Sequence, residues 1–471
     1  MSGDDSAAAI AARLDRLPST WAVWRLVVLI SLGGCFEFYD LMMTAYVSPG
    51  LIRAGVFHAG SKGFLGLTDQ ATFAAATFAG LFIGTLVFSQ VADRFGRRAI
   101  FTASLIWYTA ATLVMACQSD ALGLDLWRFI AGVGIGVELV TIDAYVTEIT
   151  PPNLRGRAFA INQSIQFAAV PIVAFACWRL LPLAPLGVAG WRWVMLLGAA
   201  AAVGVWFIRL GLPESPRWLA QRGRLAEADV VVDAIEARAE RETGRPLAAP
   251  VAAGSTPAPG AAAKGAGEPR GAFLDIFRPP YLGRTIMLSV FNAAQTIGFY
   301  GFGNWAPSLI AAQGQGVTKS LEYSFIIAFA YPAGPLLCSL FADRFERKHQ
   351  IAAAAIGTAV FGLLFARQSA PAALIALGVA ITLSNNLLSF AYHAYQAELF
   401  PTRIRARAVG FVYSWSRLST VFSSLIIAAL LGAFGSAGVF AFIAGAMGVV
   451  VIAIGVFGPR TAGRSLEAVS H

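Results

Sequence analysis

Apolar residues in this chain do not alternate with polar ones; they accumulate in long runs separated by short charged gaps. Twelve such runs can be marked, near 24–48, 71–91, 98–117, 123–149, 157–181, 191–210, 285–311, 321–342, 349–367, 371–397, 408–432 and 436–457. A helix rises about 1.5 Å per residue and must cross about 30 Å of hydrocarbon, so each run of roughly 20 apolar residues is one membrane crossing. Lipid offers the backbone no hydrogen-bond partner, which leaves helices or a closed barrel, and runs of this length are not the alternating strands of a barrel. The pattern predicts an all-α membrane protein with 12 transmembrane helices in two six-helix bundles.

The polar stretches set the boundaries. Residues 1–23 precede the first run, 24–210 hold six crossings, 211–284 form a connector, 285–457 hold six more, and 458–471 are a tail. The connector opens with a segment able to form amphipathic helices, and 246–269, rich in Ala, Pro and Gly, reads as a flexible linker. The amino end lacks the basic, apolar and cleavage regions of a signal peptide, so the first run is expected to stay as a helix.

Composition agrees: 57% of the 471 residues are hydrophobic and 13% charged, where a soluble chain carries about a quarter as charges. That excludes a disordered chain, a disulfide scaffold and a secreted enzyme. A net charge of +9 would suggest nucleic acid in a soluble protein, but the cations sit in alternate gaps. Arg13, Arg16, Arg94, Arg97, Arg98, Arg155, Arg157, Arg344, Arg347, Lys348, Arg403, Arg405, Arg407, Arg460 and Arg464 lie on the connector's side, against Arg53, Lys62, Arg179, Lys319 and Arg367 on the other. By the positive-inside rule the first set, with both termini, faces the cytoplasm of a cell whose inner membrane holds the chain; no nucleic-acid partner is expected. Cys35, Cys117, Cys177 and Cys338 are isolated, and neither a metal site nor a cofactor is expected. The chain has no GxxxxGK[ST], HExxH or GxSxG, which argues against an enzyme.

A shift of 250 residues lays one half on the other. Ser89, Asp93, Arg94, Arg97 and Arg98 fall on Ser339, Asp343, Arg344, Arg347 and Lys348; at the same offset Tyr145, Glu148, Pro151, Arg155 and Arg157 fall on Tyr395, Glu398, Pro401, Arg405 and Arg407. Two loops agreeing on one offset mark a duplicated six-helix unit, of the kind that places a site between parallel repeats.

Five motifs then carry a family resemblance. Asp93-Arg94-x-Gly96-Arg97-Arg98 follows the second run, and Arg128 with Gly132-x-Gly134-x-Gly136 lies in the fourth. Glu148, Pro151 and Arg155-Gly156-Arg157 follow it, Pro213-Glu214-Ser215-Pro216-Arg217-Trp218 follows the sixth, and Glu398-x-Phe400-Pro401-x-Arg403-x-Arg405 the tenth. In this order they resemble the major facilitator superfamily over nearly the whole chain, with Ser89 departing from its usual glycine. The resemblance implies alternating access. It also implies gating by Asp93, Arg94, Arg97, Glu148, Arg155, Asp343, Arg344, Glu398 and Arg405, pairing across the bundles when the cavity opens outward and separating when it opens inward. The arginines hold their loops inside whatever else they do. Exposed pairs are worth only about 0–1 kcal/mol each, so several must act together.

Charges inside a span cost about 2.5–3.5 kcal/mol each and are functional candidates. Here they are Glu37, Asp40, Arg128, Glu138, Asp143, Glu322, His393 and Arg417. Glu37 and Asp40, at i and i+3, share a helix face. Two carboxylates so placed cannot both ionise in a low dielectric without a cation, and Arg128 is the natural one. Phe38-Tyr39-Asp40 with Arg128 resembles proton-coupled sugar porters. Glu37-Phe38-Tyr39-Asp40 with Gly136-Val137-Glu138 resembles metabolite:proton symporters, and Arg13-Leu14-Asp15-Arg16-Leu17-Pro18 adds a likeness to uncharacterised bacterial inner-membrane metabolite transport proteins. These resemblances imply proton coupling by Asp40, Arg128, Glu37 and Glu138; a static ion pair that fixes helix packing is the other reading.

The amide-rich hexose motifs of this superfamily are depleted here, as Ala294-Gln295-Thr296-Ile297-Gly298-Phe299-Tyr300 and Ser389-Phe390-Ala391-Tyr392-His393 show. A hexose needs several such partners. What remains is aromatic and cationic: Tyr39, Gln295, Tyr300, Trp305, Tyr392, His393 and Arg417 are the substrate-binding candidates, pointing to a small organic or aromatic acid. Tyr and Trp near span ends also serve as interfacial belts. The expected protein is a monomeric secondary active transporter, a proton-coupled importer, whose partners are a small-molecule substrate, protons and the lipid bilayer. A proton-driven exporter, a sugar-type uniporter and a transporter-like nutrient sensor are the alternatives.

Overall fold

The structure, a computed structural model, describes residues 3–58, 67–95, 97–250, 273–341, 345–400 and 402–461, all helix and loop with no strand among them. Helix α1 (Gly3–Asp15) precedes the first bundle, which comprises α2 (Trp21–Arg53), α3 (Asp69–Phe95), α4 (Arg97–Ala116), α5 (Ala121–Ile149), α6 (Arg155–Phe167), α7 (Ala169–Leu180) and α8 (Gly190–Leu210). The connector supplies α9 (Pro216–Gln221) and α10 (Leu225–Thr243). The second bundle comprises α11 (Tyr281–Gly303), α12 (Ala306–Ala312), α13 (Val317–Ala328), α14 (Ala330–Phe341), α15 (Arg347–Phe365), α16 (Pro371–Glu398) and α17 (Thr402–Val450), extended by a π-helical turn at Val451–Val456. Most of the expected linker at 246–269, and the tail from 462, lie outside the described residues.

Among the described residues, eight helical stretches are long and apolar enough to cross a membrane, and the last, Ala408–Val456, turns back on itself at Gly435 to make two crossings. With α3, α5 and α11 the count is the expected twelve. The reversal needs a glycine: Gly435 has φ 64° and ψ −161°, a region closed to side chains. Two crossings are stacked pairs, α6 on α7 and α13 on α14. Pro332 and Pro335 fall just after the second break, where each removes a backbone donor.

Glycines also set a close helix–helix contact in the first bundle. A Cβ on Gly132 would lie 2.5 Å from the Thr77 carbonyl oxygen, and one on Gly136 would lie 2.4 Å from that of Leu81. The small-residue face of α5 therefore brings its backbone against α3, as this spacing does in membranes. Outward faces carry Ile106, Phe207, Phe329 and Leu340 exposed, which suits lipid rather than water.

Each bundle has its own apolar core. The two meet through α7 and α13, where Trp178 stacks on Phe325 with ring centroids 5.6 Å apart, and through α6 and α14, where Ser164 Oγ donates to the Pro332 carbonyl at 2.7 Å. Away from the connector, Gln70 Nε2 donates to Ser308 Oγ at 2.9 Å.

A third core lies on the connector side, where Ile10, Leu14 and Leu17 pack with Trp218, Val232, Ile235 and the ends of α2 and α5. Charge reinforces it. Arg13 bonds Asp229 at 2.9 Å, Asp233, and Glu236 at 2.6 Å; Arg16 reaches Glu236 at 2.6 Å, and Arg217 reaches Asp15 at 2.5 Å. Burial pushes the Glu236 carboxyl up, but hydrogen bonds from Arg13 and Arg16 outweigh it, and the net shift is downward. The amino-terminal segment is thus a docked helix, which the sequence reading treated only as a polar lead-in.

Candidate functional site

Asp40, midway along α2, and Arg128, one turn into the apolar part of α5, form a buried ion pair at 2.8 Å between Nη1 and Oδ2. Arg128 Nη2 donates to the Asp40 backbone carbonyl at 2.6 Å, and Nε donates to Thr77 Oγ1 on α3 at 2.9 Å. The second carboxylate oxygen, Oδ1, accepts from Thr112 Oγ1 on α4 at 3.1 Å. Four helices are therefore tied at one point, and Arg128 is fully buried. A buried pair of this kind needs its remaining hydrogen-bonding sites filled to be tolerable, and the threonines fill them. Sequence reasoning found the charges but missed Thr77 and Thr112.

The second bundle has nothing comparable at the equivalent positions. An offset of 250 places Gly378 opposite Arg128 and Ile327 opposite Thr77, and there a Cβ on Gly378 would meet Ile327 Cδ1 at 2.4 Å. A methyl group of the second bundle occupies the place that the guanidinium takes in the first.

The other acids of the first bundle spread outward from the pair. Glu37 and Glu138 are both fully buried, and Ser104 Oγ donates to Glu138 Oε2 at 3.1 Å. Asp143, lower on α5, is exposed although it lies inside a span, and Asn162 Nδ2 donates to it at 3.5 Å.

Facing them, the second bundle presents a cation. Arg417 on α17 is buried; its Nη1 donates to Tyr300 Oη at 3.1 Å and its Nη2 to Tyr413 Oη at 3.0 Å, with the guanidinium 5.0 Å from the Tyr413 ring centre. Its Nε is buried without a partner, and no carboxylate pairs with it among the described residues. His393 sits beside this group, its ring 5.9 Å from Tyr413 and 4.1 Å from Tyr392. With Nδ1 donating to the Ser389 carbonyl at 2.7 Å, the neutral imidazole accepts at Nε2 from Tyr392 Oη at 3.2 Å. His393 too is exposed inside a span, at the position equivalent to Asp143. Across the bundle interface, Phe78 lies 4.8 Å from the Tyr300 ring, Asp143 is within electrostatic reach of Arg417, and Glu37 is within reach of Tyr300.

Tyr300, Tyr392, His393 and Arg417 are therefore brought together, with Tyr413 as a member the sequence reading overlooked. Three other candidates lie elsewhere. Tyr39 turns toward α8 and donates to the Val194 carbonyl at 2.9 Å; Trp305 is in the second-bundle core at the start of α12; Gln295 is buried along α11.

Of the loop residues, Glu398 is held by Arg347 of its own bundle. The Glu148 carbonyl accepts from Arg217 Nε at 2.8 Å, and Arg155 Nε donates to the Thr150 carbonyl at 3.3 Å. Asp343 and Arg344 lie outside the described residues, as do the side chains of Asp93, Arg94, Arg97 and Arg405.

The family described as sugar (and other) transporter matches residues 26–471. Among curated proteins the chain is 31% identical to the putative metabolite transport protein YyaJ of Bacillus subtilis over 449 residues, 95% of each chain. It is 24% identical to the niacin transporter NiaP of Acinetobacter baylyi, across 98% of this chain and 99% of that one. Among solved structures, the xylose transporter XylE of E. coli in a partially occluded inward-open conformation superposes with a TM-score of 0.74 at 18% identity, covering 95% of this chain and all of that one.

Proposed function

The chain belongs to the sugar (and other) transporter family of the major facilitator superfamily, and on that premise we propose that it couples proton movement at Asp40 to the import of a small organic or aromatic acid bound at Arg417. It is a secondary transporter for a metabolite, not an enzyme, and a multi-pass membrane protein. Its basic gaps favour the bacterial inner membrane with connector and termini in the cytoplasm.

One observation carries the substrate class: Arg417 is a buried guanidinium whose polar partners are two phenols, with Nε left over. A buried cation with no carboxylate in contact is costly, and a carboxylate supplied from outside would complete it with a charge-assisted pair. Tyr300, Tyr392 and Tyr413 supply aromatic faces beside that cation, suited to a flat acid. The niacin transporter among the relatives supports the same class, since niacin is a pyridine carboxylate.

Proton coupling rests on the Asp40–Arg128 pair. Protonating Asp40 removes the anion from Arg128 Nη1 and frees a donor that the apolar surroundings cannot satisfy, so α2 and α5 must readjust. Glu37, on the same helix face as Asp40, lies within reach of Tyr300, which holds Arg417; this gives the two charge centres a short physical connection. Glu138 is the further carboxyl assigned to proton binding. The loop acids and bases at the connector side serve as the gate in this scheme.

Proteoliposomes with an inward proton gradient test it, with labelled nicotinate, benzoate and glucose offered outside. Accumulation of an aromatic acid, lost in Asp40→Asn, supports the assignment; uptake of glucose alone, or undiminished accumulation in Asp40→Asn, refutes it.

A further inference from the structure

Beside Asp40 lies a cavity of about 10 Å3, bounded by Phe36 and Asp40 of α2, Tyr108, Thr109 and Thr112 of α4, and Gly198 and Ala199 of α8. It touches neither α5, which supplies Arg128, nor any helix of the second bundle. Thr112, whose hydroxyl donates to Asp40 Oδ1, forms part of the wall, so the cavity adjoins the carboxylate oxygen that Arg128 does not hold. Thr109 Oγ1 is buried here without a hydrogen-bond partner. A space of this size with two to four polar neighbours holds one water.

We propose that this cavity is the proton-exchange site of the transporter: one water, held by the hydroxyls of Tyr108, Thr109 and Thr112, serves Asp40 Oδ1 and carries protons to and from it, apart from the chamber where substrate meets Arg417. An O–H bond of the protonated water breaks as the carboxyl O–H forms; the water is left neutral, and the ion pair with Arg128 loses its negative partner. The inference rests on the proton-coupling reading above and adds a separate route for the proton. Groups facing Asp40 from the packed helices are Arg128 on α5, itself bonded to Thr77 on α3, and Tyr108, Thr109 and Thr112 on α4, with Glu37 and Tyr39 on α2 itself; α8 lines the cavity with Gly198 and Ala199. The route for the proton thus lies within one bundle, and the substrate cation lies in the other.

Infrared difference spectra of the purified full chain in liposomes, titrated with pH in the absence of any substrate, test this. The carboxyl band lost in Asp40→Asn identifies the group. In Thr109→Val its hydrogen–deuterium exchange should slow about tenfold, because the water that carries the proton loses a hydroxyl partner. Thr109→Ser should restore fast exchange. Ala199→Val fills the cavity from α8 without removing a hydroxyl and should slow exchange alike, which decides the matter if Thr109→Val fails to fold. Unchanged exchange in Thr109→Val or in Ala199→Val overturns the water site while leaving Asp40 coupling intact. Absence of any band that depends on Asp40 overturns the coupling reading and this inference with it.

Discussion

Tyr145 and Tyr395, 250 residues apart, make the same hydrogen bond: each donates its hydroxyl to the carbonyl of a proline just past the last helix of its own bundle, Pro213 for the first and Pro459, at 2.9 Å, for the second. The tyrosines end the fourth and tenth crossings and tie them to the chain leaving the sixth and twelfth. Tyr145→Phe and Tyr395→Phe each leave a carbonyl without its donor, and each is expected to destabilise by about 1 kcal/mol. Thermal unfolding of the two single variants should give losses of similar size, since the repeat reproduces the bond.

Removing one member of the buried ion pair should cost more than the tyrosine bond. Arg128→Met leaves Asp40 as an uncompensated buried carboxylate, with an expected loss of about 3–5 kcal/mol. Adding Asp40→Asn to it should recover a large part. A double-mutant cycle by denaturant unfolding in detergent measures the coupling, and additive losses would contradict the pairing.

The spans were legible in the sequence because an apolar run of fixed length has one solution in lipid. The Asp40–Arg128 pair was legible because charges inside spans are so few. The threonines that complete it were not: a Thr in a membrane helix ordinarily bonds the carbonyl four residues back, as Thr77 does to Phe73 at 3.0 Å, so nothing in the residue type announces a second task. Tyr39 adjoins Asp40 in sequence yet points to α8, since neighbours in a helix face about 100° apart. Helix α1 escaped notice because thirteen residues make a marginal helix alone; its stability comes from docking Ile10, Leu14 and Leu17.

Substrate binding is expected to depend on Arg417 more than on its phenols. Arg417→Gln should raise the KM for an acid by about 10-fold or more, the scale of a lost charge-assisted pair, while Tyr300→Phe should raise it less. Initial rates of nicotinate uptake across a concentration series separate the two variants.

The docking of α1 should be sensitive to acid. The folded-state carboxyl of Glu236 lies below its ordinary value, so the contribution of its bonds to Arg13 and Arg16 is complete above that ordinary value and is lost as pH falls through the lowered one. Deuterium exchange over residues 3–15 should therefore be slow at neutral pH and accelerate in acid below about pH 4.5, the ordinary glutamate range. Glu236→Gln should show fast exchange at neutral pH and little further change in acid.

Gly435→Ala places a side chain where φ is 64° and ψ −161°. A loss of about 1–3 kcal/mol is expected from strain alone, since nothing crowds the added Cβ. Thermal melting in detergent tests it; a neutral result would mean that the last two crossings are joined by a different turn.

The ion pair of the first bundle, opposed in the second by Gly378 and Ile327, also governs how the newborn chain enters the bilayer. Asp40 emerges from the ribosome long before Arg128, and each, alone at mid-membrane, disfavours insertion by about 2.5–3.5 kcal/mol. The first six crossings are therefore obliged to mature together, with the earliest helix waiting for the fourth; in the later six Arg417 carries the same penalty, and among the described residues no carboxylate pairs with it to relieve that cost.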